Sequence, residues 1–556
     1  MLSTMQDVPL TVTRILRHGA LVHGASTITT WRGADEEPHR RGFAAVGQRA
    51  AQLAHALRDE LGVRDDERVA TLMWNNAEHV EVYFAAPAMG AVLHTLNLRL
   101  PTDQLVWIVN HAADRILVVN GSLLPLLAPL LPKMPTIEHI VVSGPGEPSV
   151  LEAALEQGPV RPHVHDYEEL IAGRPTDFDW PDLDERRAAA MCYTSGTTGD
   201  PKGVVYSHRS IYLHSMQANM AQSMALTDRD TSLVVVPQFH VNAWGLPHMT
   251  FMTGVNLLMP DRFLHPGPLA EMIETERPTH AAAVPSIWHG LLAELRERPR
   301  DIGSLTQVTI GGSACPPALM TAFDELGVRL CHAWGMTETS PLGTVARPPA
   351  HAHGTDEEFA YRITQGRFPA GVEARLTGPD GRRLPWDGRS AGELEVRGPW
   401  IAGAYYGGQD GEPLRPADKF SPDGWLKTGD VGTITPDGYL VLTDRVKDVI
   451  KSGGEWISSL ELENALMAHP DVAEAAVVAV PDDKWGERPL ATVVLKDGAT
   501  ADFTALRDFL AGRLARWQLP ERWTVVGAVP KTSVGKFDKK VLRRQYADGE
   551  LDVTRI

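Results

Sequence analysis

Cysteine is scarce. Cys192, Cys315 and Cys331 are the three in a chain of 556 residues. Three thiols cannot build a disulfide framework, and so few suggest a reducing, cytoplasmic compartment. No group of Cys and His has zinc-ligand spacing. Long hydrophobic runs are missing as well. The most apolar stretch, Leu123–Leu131, is too short to span a bilayer and carries Pro125 and Pro129, so it reads as a short packed helix with proline breaks and no integral membrane segment is expected. Asp7 stands early and no apolar h-region follows, so no signal peptide is expected either. Positive charge is in the minority: 53 Lys and Arg against 70 Asp and Glu leave a net charge of −17. That balance argues against nucleic acid or an anionic membrane as the main partner, and a nucleotide site here must be locally basic inside an acidic shell. Internal repeats and low-complexity segments are not seen.

What is present is an ordinary globular composition, 43% hydrophobic, over a length that calls for two or more domains. Val46, Ala50, Leu53, Ala54, Leu57 and Leu61 recur at helical spacing, with Gly62 as a stop. Arg68–Met73 reads as a buried strand, Glu78–Met89 as helix, Ala91–His94 as strand, Thr102–Asn110 as helix and Ile116–Val119 as strand. Later strands are expected at Leu233–Val236, Val308–Ile310 and Ala475–Val480, and a helix at Phe503–Arg513. The alternation predicts an α/β fold with a largely parallel sheet covered on both faces, its binding sites beyond the strand ends.

Between the apolar Ala188–Cys192 and Val204–Val205 runs YTSGTTGDPKG, from Tyr193 to Gly203. Gly196, Gly199 and Gly203 allow close backbone approach, successive amides of such a loop form an anion nest, and Thr194, Ser195, Thr197 and Thr198 add hydroxyls beside the mobile charge of Lys202. The set suits a polyphosphate, though the Walker A spacing cannot be laid over it. Cys192, next to this loop, reads as a small buried side chain and not as a nucleophile.

Four further segments follow: VVPQFHVNAWGLP (235–247), HAWGMTETS (332–340), GWLKTGD (424–430) and PKTSVGK (530–536), with DRVKD at 444–448 between the last two. In this order the segments resemble those of the acyl-adenylate-forming superfamily, which includes acyl-CoA synthetases, firefly luciferase and the adenylation domains of nonribosomal peptide synthetases. The resemblance covers essentially the whole chain. It is most similar to bacterial medium- and long-chain fatty acyl-CoA ligases and to ligases of methylmercaptopropionate.

The resemblance implies a large N-terminal ATP- and acid-binding domain over 1–443, with mixed and parallel sheets flanked by helices, a hinge at 444–448, and a small mobile α+β domain over 449–556. It implies phosphate contacts from Thr194, Ser195, Gly196, Thr197, Thr198, Gly199 and Lys202. Adenine falls to the segment Ala333, Trp334, Gly335 and Met336, with Gly312 and Ser313 close to the ligand. Thr337 contacts phosphate, Glu338 binds Mg²⁺, Asp430 and Arg445 hold the ribose, and Lys447 is the pivot. His240 and Lys536 join the catalytic set, Gln238 and Trp244 the acid pocket, and Trp456 the CoA-side loop. Gln238 departs from the usual Met of the motif. ATP, Mg²⁺ and CoA are the implied cofactors, a small-molecule acid the implied substrate, and a homodimer a family expectation. The implied chemistry is adenylation of a fatty, aryl or thioether acid followed by transfer to CoA. The motifs alone leave open a carrier-protein thiol as acceptor, nitrite as the activated acid, or a nucleotide-binding regulator without turnover.

Overall fold

The computed structural model describes every residue except 2, 195–199, 379, 409–410, 453–454 and 532–536, and the side chains of 455 and 456. Among the described residues, strands form three sheets of fourteen, seven and six strands. The seven-stranded sheet runs in the order His163–Asp166, His139–Ser143, Ile116–Asn120, Arg68–Leu72, Val92–Thr95, Ala188–Thr194 and Lys202–Ser207. All its pairings are parallel except the last, which is a hairpin. The central strands are apolar on both sides, as a sheet buried on both faces requires. In the large sheet, Asn256–Met259, Thr231–Val234, His280–Ala283, Gln307–Ile310 and Arg329–Gly335 pair in parallel, and antiparallel strands continue it from Leu342–Val345.

Helices Val12–Val22, Phe43–His55, Ala77–Ala88 and Leu246–Thr253 lie between these two sheets. Their side chains join both inner sheet faces in one core, with Phe43 stacked on Phe251 at 4.0 Å between ring centroids. A Cβ on Gly19 would sit 2.3 Å from the Phe251 ring, so glycine there lets the first helix close onto this stack. Helix Ala77–Ala88 is buried at every residue but Glu78 and starts where the Asn76 side chain accepts from the His79 amide at 2.9 Å, a standard N-cap. Separate cores cover the outer face of each sheet. The sheet formed from residue 450 onward packs with helices Ser459–Met467, Phe503–Ala511 and Lys539–Ala547 around cores of its own. Among the described residues no helix is long and apolar enough to cross a membrane.

Most expected elements lie where the periodicity puts them. The apolar run 123–131 is a single short helix, Leu124–Leu127, between two 3-10 turns. The strand expected at Leu233–Val236 ends at Val234, where Asn75 takes over as partner and donates to the Val234 and Val236 carbonyls at 2.7 and 2.8 Å.

Candidate active site

The C-terminal ends of the parallel strands bring the motifs together. Strand pairing sets Thr194 opposite Lys202 at the mouth of a hairpin, and the Thr194 hydroxyl donates to the Lys202 carbonyl at 3.4 Å. The Lys202 ammonium lies 5.2 Å from the centroid of the Tyr405 ring, a cation–π distance. On the other side, the Tyr405 hydroxyl donates to Glu338 Oε1 at 2.7 Å. Lys202 and Glu338 are thus neighbours across one ring. Glu338 sits in the 3-10 turn Thr337–Thr339 after strand Arg329–Gly335. The turn is pinned by the Tyr206 hydroxyl, which donates to the Thr337 carbonyl at 2.8 Å, and by the Ala402 amide, which donates to the Glu338 carbonyl at 2.7 Å. Gly335 has no room for a side chain, since a Cβ would lie 1.7 Å from the Pro341 oxygen.

A second group forms around Asp430, which is buried. The Trp334 indole N–H donates to Asp430 Oδ2 at 2.8 Å, and Arg445 Nε lies 3.2 Å from Oδ1. Asp430 and Arg445 are direct partners on strands Leu426–Ile434 and Tyr439–Arg445. The Asp430 charge holds the Arg445 guanidinium above its ordinary pKa. Each carboxylate oxygen keeps a second lone pair, enough to accept from two further hydroxyls. The Trp334 ring lies flat against Gly343, where a Cβ would come within 2.3 Å of it. Beside it, Gly311 approaches the Ala333 carbonyl and the Trp244 ring, and Gly312 takes φ +83°.

The FHVNAWG segment holds a conformation that its spacing does not announce. Val241, Asn242, Ala243 and Trp244 all have positive φ, from 46° to 56°, and Gly245 follows at 77°. One turn of left-handed helix in non-glycine residues is costly. Asn242 is anchored: its side-chain oxygen accepts from Thr95 Oγ1 at 3.3 Å and from the Cys192 thiol at 3.1 Å. Burial pushes that thiol up to about 11, so it stays a neutral donor. Under the turn is a cavity walled by Tyr206, His214, Val241, Asn242, His248 and Ser340, among others. Burial lowers both imidazoles to about 3, so they are neutral. His240 is half-buried at the start of the turn.

Models of known families match this architecture: an AMP-binding enzyme domain over residues 18–406 and an AMP-binding enzyme C-terminal domain over 461–536. The chain belongs to the AMP-binding enzyme family. It is 44% identical over 554 residues to a 3-methylmercaptopropionyl-CoA ligase of Ruegeria pomeroyi, covering 99% of both chains. It is 40% identical over 551 residues to a medium-chain-fatty-acid–CoA ligase of Ectopseudomonas oleovorans, covering 99% of this chain and 98% of the relative. The crystal structure of the anthranilate CoA ligase AuaEII in complex with anthranoyl-AMP superposes with a TM-score of 0.84 at 25% identity, covering 98% of this chain and all of that one.

In this AMP-binding enzyme, Lys202, Thr194, Thr337 and Glu338 are brought together, as are Trp334, Asp430 and Arg445. Ser195, Gly196, Thr197, Thr198, Gly199 and Lys536 lie outside the described residues, as does the Trp456 side chain. Gln238 is not in the described wall of the cavity. It is fully buried, its side-chain oxygen accepts from the Asn76 amide at 3.0 Å, and its own amide donates to Asn75 Oδ1 at 2.7 Å. It fastens the segment to the capped end of helix Ala77–Ala88, and its side-chain Nε2 is buried without a hydrogen-bond partner among the described residues. Tyr405 and Tyr206 were not singled out by sequence. They lie in no motif, and what reveals them is the hydrogen bond each makes to the Thr337–Glu338 turn.

Residues 444–448 are held from the C-terminal side. Asp444 accepts from the amide and the hydroxyl of Ser459, both at 2.6 Å. Lys539 donates to the same hydroxyl at 2.6 Å and pairs with Glu463 at 2.8 Å. Arg543 pairs with Asp448 and donates to the Lys447 carbonyl at 3.1 Å. The Lys447 amine is pushed down by burial and by its neighbours Lys419, Lys540 and Lys202. These lysines make the region around Lys447 locally basic, against the charge of the whole chain, with Asp418 opposing them.

Proposed function

We propose that the chain is an AMP-forming acyl-CoA ligase. A carboxylate attacks the α-phosphorus of ATP and expels pyrophosphate, leaving an acyl-AMP. The CoA sulfur, giving up its proton, then attacks the acyl carbon, a thioester forms and AMP leaves. The observation that carries this reading is the pairing of two groups on one strand and its turn: Trp334 with Asp430 and Arg445 at one end, Glu338 with Tyr405 and Lys202 at the other. The first group suits a nucleoside with two ribose hydroxyls and the second a triphosphate.

Lys202 stabilises the charge that grows on the phosphate oxygens during attack. The motif gives the same task to Lys536. The entering carboxylate is already ionised near neutral pH, so positioning and electrostatics carry the step. Glu338 fits a magnesium ion: among the described residues no cluster of three potential ligands forms a dedicated cage, and Mg²⁺ characteristically takes one or two carboxylates, substrate phosphates and water. Bound there, Mg²⁺ would neutralise phosphate charge. Tyr405 orients the carboxylate by occupying one of its oxygens.

The cavity under the left-handed turn adjoins Ser340, two residues past Glu338, which supports it as the acid pocket. Its open space is about 10 Å³, close to that of one water, and its imidazoles are uncharged. As it stands that space is too small for an acid, so the turn must move to admit one; its uncharged lining favours an uncharged tail, in line with a relative that carries the name of a thioether acid. The acceptor is CoA, as the names of both ligase relatives suggest. Residues 444–448 serve as hinge between 1–443 and 449–556, with Lys447 as pivot. Three buried free cysteines are compatible with a cytoplasmic setting.

The test is acid-dependent ATP–pyrophosphate exchange across short thioether, fatty and aryl acids and nitrite, followed by thioester detection with CoA. Exchange with short thioether or aliphatic acids and a CoA product is the expected result. A folded protein that shows no exchange with any acid overturns the reading.

A further inference from the structure

A second cavity lies away from the site just described, at the opposite end of strand Arg329–Gly335. Its open volume is about 210 Å³, and its walls include Gln307, Arg329, Cys331, Arg347, His353 and Arg362. Five residues of extended strand separate Arg329 from Trp334, roughly 16 Å at the rise of a β-strand.

Three guanidinium groups line this space, brought by different elements: Arg329 opens the strand, Arg347 follows strand Leu342–Val345, and Arg362 ends helix Glu358–Arg362. Arg362 forms a two-pronged pair with Asp324, both contacts at 2.8 Å, and Arg329 pairs with Glu358. His353 shares that same carboxylate at 3.4 Å. Arg347 has no carboxylate partner among the described residues. Neutral oxygens hold its guanidinium in place: the Ser223 carbonyl, the Met224 carbonyl at 3.0 Å and Gln307 Oε1 at 2.8 Å. Three positive groups therefore face two negative ones, in a chain whose total charge is −17. Arg362 is 7% exposed, and its Nε is buried without a hydrogen-bond partner. Burial, and next the charge of Arg362, pull the Arg329 guanidinium below its ordinary pKa.

Clustered like charges, with Arg362 buried and carrying an unused donor and Arg329 and Arg347 partly buried, are an arrangement that an anion relieves. Guanidinium forks match the planar or tetrahedral oxygens of carboxylate and phosphate. The volume is below the range of drug-sized ligand pockets, which suits a phosphate or a small phosphate monoester and is too little for a nucleotide.

We propose that this cavity is a binding site for inorganic phosphate or a small phosphate monoester, separate from the nucleotide site, with Arg347 as its uncompensated charge. The site does not depend on the ligase reading.

The experiment follows thermal unfolding in rising inorganic phosphate, with sodium chloride matched for ionic strength. It compares the Lys202→Ala variant, whose hairpin loop lacks its ammonium, with the same variant carrying Arg347→Gln or Arg329→Gln. The expected result is a saturable rise in Tm that persists in Lys202→Ala and needs roughly tenfold or more phosphate once either arginine is replaced, since a charged hydrogen bond is lost. An equal response in all variants overturns the proposal. Because Arg347 also anchors Ser223 and Met224, its variant could lose its fold. Selenate-soaked crystals of the unaltered enzyme therefore give an independent readout. Anomalous density among Arg329, Arg347 and Arg362 supports the site, and density confined to the 193–203 loop, or none, overturns it.

Discussion

Trp334 does two things with one ring. Its face rests on Gly343, and its N–H holds one oxygen of Asp430. Replacing it with phenylalanine keeps an aromatic ring, loses the rest of the indole and removes the donor. A hydrogen bond to a charged group contributes about 1.5–3 kcal/mol, so Trp334→Phe is expected to raise the ATP KM roughly tenfold or more while the KM for the acid changes little. Pyrophosphate exchange at varied ATP measures this, and an unchanged ATP KM would show that Asp430 needs no such partner. Both residues stand out in the sequence as motif members. Their contact does not, because 96 positions separate them and nothing local to either one encodes the other. Tyr405 is harder still to see in the chain, since a tyrosine in IAGAYY carries no periodic or motif signal.

At the scale of elements, the left-handed turn over Val241–Trp244 marks where pattern reading stops. Regular pieces are legible because side-chain period reports burial: the strand expected at Arg68–Met73 is Arg68–Leu72, and the helix expected at Glu78–Met89 is Ala77–Ala88. A left-handed turn has no such period, and only Gly245 hints at positive φ. The turn persists because its surroundings hold it, with Asn242 gripped by Thr95 and Cys192. Asn242→Ala removes that grip and places alanine where asparagine is better tolerated. A loss of about 1–3 kcal/mol in stability is expected, together with a changed order of preference among acids and an unchanged ATP KM. Urea unfolding and kcat/KM over an acid series check both halves. Stability and acid order both equal to those of the unaltered enzyme would count against the turn as the shaper of the pocket.

For the molecule as a whole, the proposed hinge at 444–448 is the segment on which the sharing of one site by two half-reactions would depend. Lys447→Pro fixes φ at the proposed pivot. Pyrophosphate exchange should persist, while CoA-dependent turnover falls by roughly tenfold or more as acyl-AMP accumulates. Normal steady-state thioester production would remove Lys447 from that role. The same junction carries a pH signature. Burial pushes the Glu463 carboxyl up from 4.5 to about 7, against the pull of Lys539. The folded chain then keeps a proton that the unfolded chain has already lost between those values, so stability falls as pH rises through this window and levels off above it. Glu463→Gln should flatten that part of a stability–pH profile, and a slope that survives the substitution would assign it to another group.

Among the described residues the cores on either side of that junction share no apolar cluster: those of the larger part reach Leu442, and those of the smaller begin at Ile450. Salt bridges and serine hydroxyls connect the two across a few residues. Cooperativity follows shared packing, so the chain should melt as two calorimetric units. Residues 449–556 expressed alone should keep native-like circular dichroism, and protease cutting within 444–448 should release both parts still folded.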